Sequence, residues 1–123
     1  MSDLPDSSDR ETPRPDPLPW IALSLLPGLG PIICARALAA CPDPEKLAFS
    51  IPPEAFREFG LGPAAIRKVA PLRRRLRRVA ARERDRCRRA GIRILTPPDP
   101  DYPSELRELP DPPITLYLLS LIH

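Results

Sequence analysis

The sequence predicts a mainly α fold: a small helical domain with helix-hairpin-helix turns, followed by a short, incomplete α/β segment. Three observations carry this. Gly-Leu-Gly-Pro occurs twice between apolar stretches, at 28–31 and 60–63, an offset of 32 residues. Between Pro63 and Ala90 apolar residues recur mostly at steps of three and four. At Ile92-Arg93-Ile94-Leu95 the pattern switches to β-branched residues alternating with an exposed one. With 20 prolines among 123 residues and 42% hydrophobic content, the chain is globular, yet it excludes long unbroken elements throughout. Its length suits one small domain with an appendage.

Residues 1–17 are rich in Pro, Asp and Ser with almost nothing apolar, and burial cannot offset their ordering entropy. A disordered tail is expected there. The helical domain is expected over 18–90 and the α/β segment over 91–123. Trp20, Ile21, Leu23, Leu25 and Leu26 fit a short buried helix that stops at Pro27-Gly28. Pro31 suits a first helical turn and opens a second helix to about Ala40. After Cys41-Pro-Asp-Pro, a short helix is expected around Glu45 to Phe49, and another begins near Pro53 and ends at Gly60-Leu61-Gly62-Pro63.

From Pro63 to Ala90 the stripe Ile66, Val69, Leu72, Leu76, Val79 and Cys87 makes one helical face, bent or restarted at Pro71. Gly91 and Ile92 supply the C′ and C″ residues that close it. A short strand at 92–95 ends at Pro97-Pro98, Ser104 to Leu109 makes one or two helical turns, and Asp111-Pro112-Pro113 is a rigid link. Ile114 to Ile122 reads as a strand apolar on both faces, of the kind found inside an α/β sheet. Left uncovered, it is an edge for aggregation or self-association.

Three cysteines at 34, 41 and 87, without C-x-x-C spacing, suggest neither a disulfide framework nor a zinc site and fit a reducing cytoplasm. The acidic, polar opening is unlike a secretory signal, and the uncharged stretch from Trp20 to Ala35 is short of a membrane span, so a soluble protein is expected. The only histidine is the last residue, and Asp99 with Asp101 lies in a Pro-rich loop where solvation is the expected role. Gly28-Leu29-Gly30 lacks the third glycine and preceding strand of a dinucleotide site. Neither an enzyme nor a cofactor is expected.

The turns suggest binding instead. A glycine turn lets a partner come close to the backbone, and the amides opening the next helix, with its dipole, favour an anion such as a nucleic-acid phosphate. Gly28, Leu29 and Gly30 form one candidate site, and Gly60, Leu61 and Gly62 the other, with each leucine turned inward. Arg36 behind the first turn, and Arg67 and Lys68 behind the second, add attraction. Ile32, where a basic residue would help most, and Cys34, where a smaller residue is expected, weaken the first site. The alternative is a tight corner that only packs helices. Residues 63–93 hold 12 Arg and one Lys against Glu83 and Asp85, a local +11, while the rest of the chain sums to −8. That field attracts nucleic acid, or merely solvates the outer face of a core helix, since no aromatic residues are interleaved to stack bases.

Residues 91–117 resemble the DNA-processing protein A (DprA/Smf) family in Gly91, Ile92, Leu95 and Thr96, then Asp101, Tyr102, Pro103 and Leu106, then Asp111, Pro112 and Pro113, then Leu116 and Tyr117. The Leu-x-Gly-x-Gly-Pro stretch at 26–31 matches the helix-hairpin-helix or SAM-like domain preceding that family's Rossmann-like core. The resemblance implies a role in natural transformation: the family binds incoming single-stranded DNA, protects it and helps load the RecA recombinase. Its main single-strand site lies in the Rossmann-like core, beyond the Leu-Tyr strand. Here Leu116-Tyr117 runs into Leu118-Leu119-Ser120-Leu121-Ile122-His123, so a truncated relative is expected, with at most weak, sequence-independent backbone binding. A SAM-like protein-interaction module, or a fragment without independent function, are the alternatives.

Overall fold

The computed structural model describes residues 16–110 and 112–119. The chain is mainly helical: α1 (Leu18–Leu25), α2 (Pro31–Ala40), α3 (Pro44–Phe49), a 3₁₀ helix (Pro53–Phe59), α4 (Pro63–Arg89), β1 (Ile92–Leu95), α5 (Ser104–Arg107) and β2 (Leu116–Leu119). Prolines set most of the boundaries. Just before α1, whose N-cap residue is Pro17, the Asp16 carboxylate accepts from the Leu18 amide at 3.0 Å. Pro27 forces Leu26 into an extended conformation, φ −71° and ψ 132°, and so ends that helix. Asp43 caps α3 by accepting from the Lys46 amide at 3.2 Å.

Helix α4 is the spine. It is not restarted at Pro71 but runs as one helix, with Pro71 on the exposed side and the opposite side held by buried Ile66, Val69, Leu76, Ala80 and Cys87. A mid-helix proline costs about 3 kcal/mol, whereas each fully buried large apolar side chain contributes roughly 1.5–3 kcal/mol. Helix α1 packs across α4 and α3 with Trp20, Ile21, Ala22 and Leu23 buried. Leu25, expected inside, is 38% exposed: buried residues lie on every side of this helix, and Leu25 is its last residue, at the end of the buried run. Gly91, at φ 75°, closes α4 as the C′ residue.

The two strands form an antiparallel pair with Ile92 opposite Leu119 and Leu95 opposite Leu116. Residues 96–115 join them, so they make no parallel crossover unit. The second strand begins at Leu116, later than expected, and the remainder of the expected strand, 120–123, lies outside the described residues, as does the expected tail at 1–15. In the linking segment Tyr102 is buried, and its hydroxyl donates to the Pro113 carbonyl at 2.6 Å. Burial pushes its ionisation up, and the nearby Arg107 guanidinium opposes this. Asp99 does not solvate its loop: it is buried and accepts from the Asp101 amide at 2.9 Å, which closes a local turn.

Candidate nucleic-acid interface

The two glycine turns have the same local construction. Gly28 and Gly60 adopt positive φ, 74° and 107°, which other residues adopt only with strain. Two residues on, Gly30 and Gly62 are extended (φ −80° and −76°) and stand as the N-cap residues of α2 and α4, each followed by proline. Between them Leu29 and Leu61 turn into the core, as the sequence suggests.

The turns also pack on each other. A Cβ placed on Gly28 would lie 3.1 Å from the Ala65 Cβ and 3.1 Å from the Leu61 Cδ1. One placed on Gly60 would lie 3.1 Å from an Arg36 guanidinium nitrogen and 3.8 Å from the Ile33 Cγ1. Ile33 and Ala65 are themselves 32 residues apart, so each half offers the same helical position to the other's first glycine. Gly28 and Gly60 are therefore explained by the corner and its packing. Gly30 and Gly62 are not: nothing lies within 4 Å of a Cβ at either, and their backbone suits any residue.

No side chain caps either helix start. The first intrahelical bonds are Cys34 to Gly30 at 2.9 Å and Ile66 to Gly62 at 3.0 Å. Helix geometry therefore leaves the amides of Ile32 and Ile33, and of Ala64 and Ala65, without intrahelical acceptors. The Gly30 amide is already used by the Gly28 carbonyl at 3.0 Å. Arg36 crosses from the first half to the second turn, where it donates to the Phe59 carbonyl at 3.5 Å. Arg67 and Lys68 are exposed on the first turns of α4 and form no ion pair among the described residues.

The arginines of α4 divide into two sets. Arg73 is structural: its guanidinium donates to the carbonyls of Leu47 (3.1 Å), Ala48 (3.0 Å) and Ile51, gathering the C-terminal end of α3, and burial lowers its pKa. Arg77 pairs with Glu45 at 2.5 Å and lies 4.0 Å over the Phe49 ring. Arg84 reaches Asp16 and Asp85, Arg86 reaches Glu83, and Arg88 reaches Asp85. Arg74, Arg75, Arg78, Arg82 and Arg89 are exposed and make no such contact among the described residues. Sequence periodicity locates the basic helix, but the division depends on which acidic residues and carbonyls the other elements bring to it.

No helix among the described residues is long and apolar enough to cross a membrane. No family model matches the chain, and no solved structure matches it. Protein Smf of Synechocystis sp. is 36% identical to it over 102 residues, which cover 82% of this chain. The chain spans about a quarter of that relative's length, 25%. That identity extends over a stretch far longer than residues 91–117, and the chain belongs to the Smf (DNA-processing protein A) family.

Proposed function

We propose that this chain is a binding module, not an enzyme, that holds nucleic-acid backbone without reading base sequence. The helix starts at Gly30 and Gly62 are its phosphate contacts, with Arg67 and Lys68 beside the second. The observation that carries the reading is the contrast within each turn: Gly28 and Gly60 are required by conformation and packing, whereas Gly30 and Gly62 face open space in a conformation any residue adopts. A Ser, Asp or Asn there would strengthen the helix start. Glycine instead leaves bare amides over which a phosphate can settle. Family membership supports DNA as the polymer, and in this reading it is handled in the cytoplasm during transformation. Protection of single strands and loading of RecA belong, in this reading, to the full-length family, to which this chain contributes backbone grip.

The test is Gly30→Asp with Gly62→Asp, followed by fluorescence anisotropy with labelled DNA at low salt. Each carboxylate caps its helix and adds a few tenths of a kcal/mol of stability, while occupying the amides and repelling phosphate. Wild-type affinity is expected in the range of about 10⁻⁴–10⁻⁶ M typical of non-specific binders. The double variant is expected to melt no lower than wild type and to bind at least about tenfold more weakly, a change of about 1.4 kcal/mol. Unchanged affinity in a folded double variant refutes the site.

A further inference from the structure

We infer that the outer face of α4 is an extended contact surface for double-stranded DNA, with Arg74, Arg75, Arg78, Arg82 and Arg89 laid along its phosphates. This rests on the reading that the chain binds DNA backbone. At about 100° per residue, these five and Arg67 and Lys68 fall within a wedge of about 120° on the side opposite the buried stripe. From Arg67 to Arg89 the row is about 33 Å long at 1.5 Å per residue. It begins one turn into the helix that Gly62 opens.

This is not an ordinary solvated helix face. Such faces interleave acids with bases at i, i+4, whereas Arg74, Arg78 and Arg82 follow one another at that spacing and destabilise the helix by repulsion. The acids of α4, Glu83 and Asp85, are engaged by Arg86, and by Arg84 and Arg88. The row therefore suits an external polyanion, and arginine forks match phosphate oxygens two at a time. A lipid surface is a poor occupant, because the apolar face that would enter it is buried in the core.

Two features favour duplex over single strand. Trp20, Phe56 and Tyr102 are buried, Phe49 is half-buried under Arg77, and Phe59 is half-buried edge-on to Phe56, so among the described side chains there is no platform on which unpaired bases could stack. Duplex DNA also presents one charge per about 1.7 Å of axis, against about 3.4 Å for one strand, so a straight row of cations neutralises more of it.

The experiment titrates the whole chain with a random-sequence duplex and a single strand of equal length across a range of salt. Wild type is expected to prefer the duplex, with log affinity falling against log salt at a slope of about −6 for seven contacts, against about −5 on the single strand. The variant R74Q/R75Q/R78Q/R82Q/R89Q is expected to keep its helicity, lose the preference and flatten the duplex slope by about 4.5. Should it unfold, R74Q/R78Q/R82Q gives the same test with a flattening of about 2.7. A folded variant that keeps wild-type slope and affinity, or a wild type that prefers single strands, overturns this inference and leaves the glycine-turn reading standing. A wild type that binds neither polymer at low salt overturns both.

Discussion

Replacing Gly28 with alanine measures the contact between the two turns, and the chain contains its own control. Gly91 has nearly the same φ as Gly28, 75° against 74°, but a Cβ there meets nothing within 4 Å. Gly91→Ala therefore carries only the conformational penalty of about 1–2 kcal/mol for an L residue in the left-handed region, reduced by about 0.4–1 kcal/mol through lost freedom of the unfolded chain. Gly28→Ala carries the same net amount plus the intrusion of a methyl at 3.1 Å from the Ala65 Cβ and the Leu61 Cδ1. Ala65 has no rotamer by which to retreat, and overpacking of this kind costs about 1–3 kcal/mol. The expected losses are thus about 0.5–1 kcal/mol at Gly91 and about 1.5–4 kcal/mol at Gly28, read from urea denaturation. Adding Ala65→Gly to Gly28→Ala removes the obstacle that cannot rotate away and is expected to show a favourable coupling of at least about 1 kcal/mol. Equal losses at the two glycines, or no coupling with Ala65, would refute the packing of one turn on the other.

Two further outcomes concern the supporting structure. Arg73→Met is expected to destabilise by about 2 kcal/mol, because three carbonyls at the end of α3 lose a charged donor, and Arg73→Lys is expected to recover only part of this, since one ammonium cannot span all three. Thermal melting of the two variants checks it. Burial raises the Cys34 thiol from 9.0 to about 11, so the folded state holds its proton to higher pH than the unfolded state does. Stability from this group is complete below pH 9.0 and is lost as pH rises towards about 11, by roughly 2–3 kcal/mol. Cys34→Ala is expected to shrink the decline without removing it, because Tyr102 and Cys87 are shifted the same way. Urea midpoints measured from pH 8 to 11 would show no change in the slope if the reasoning is wrong.

The helix boundaries were readable because prolines and glycines set them locally: Pro27 acts on Leu26, Pro31 and Pro63 occupy first turns, and Gly91 closes α4. The inward leucines and the buried ring of Tyr102 were equally readable. What local chemistry could not divide was the glycine pair within each turn. Gly28 and Gly30 look alike in sequence, and the positive φ at Gly28 together with the approach of Ala65 and Leu61 from 33 or more residues away separates the structural glycine from the one in open space. Arg73 was missed as a structural residue for the same reason, since its carbonyl partners belong to another helix. Leu25 and the strand pairing depended on which neighbours arrive, a property of the assembled chain.

The reciprocal seating of Ile33 and Ala65 ties the histories of the two halves together. Each half's corner is accommodated by a side chain supplied by the other, so a larger residue at position 65 would have to be matched by a shift at the first corner, and one at position 33 by a shift at the second. Substitutions at 28 and 65, and more weakly at 33 and 60 where the contact is 3.8 Å, are therefore expected to covary as pairs among relatives, whereas positions 30 and 62 carry no such packing constraint.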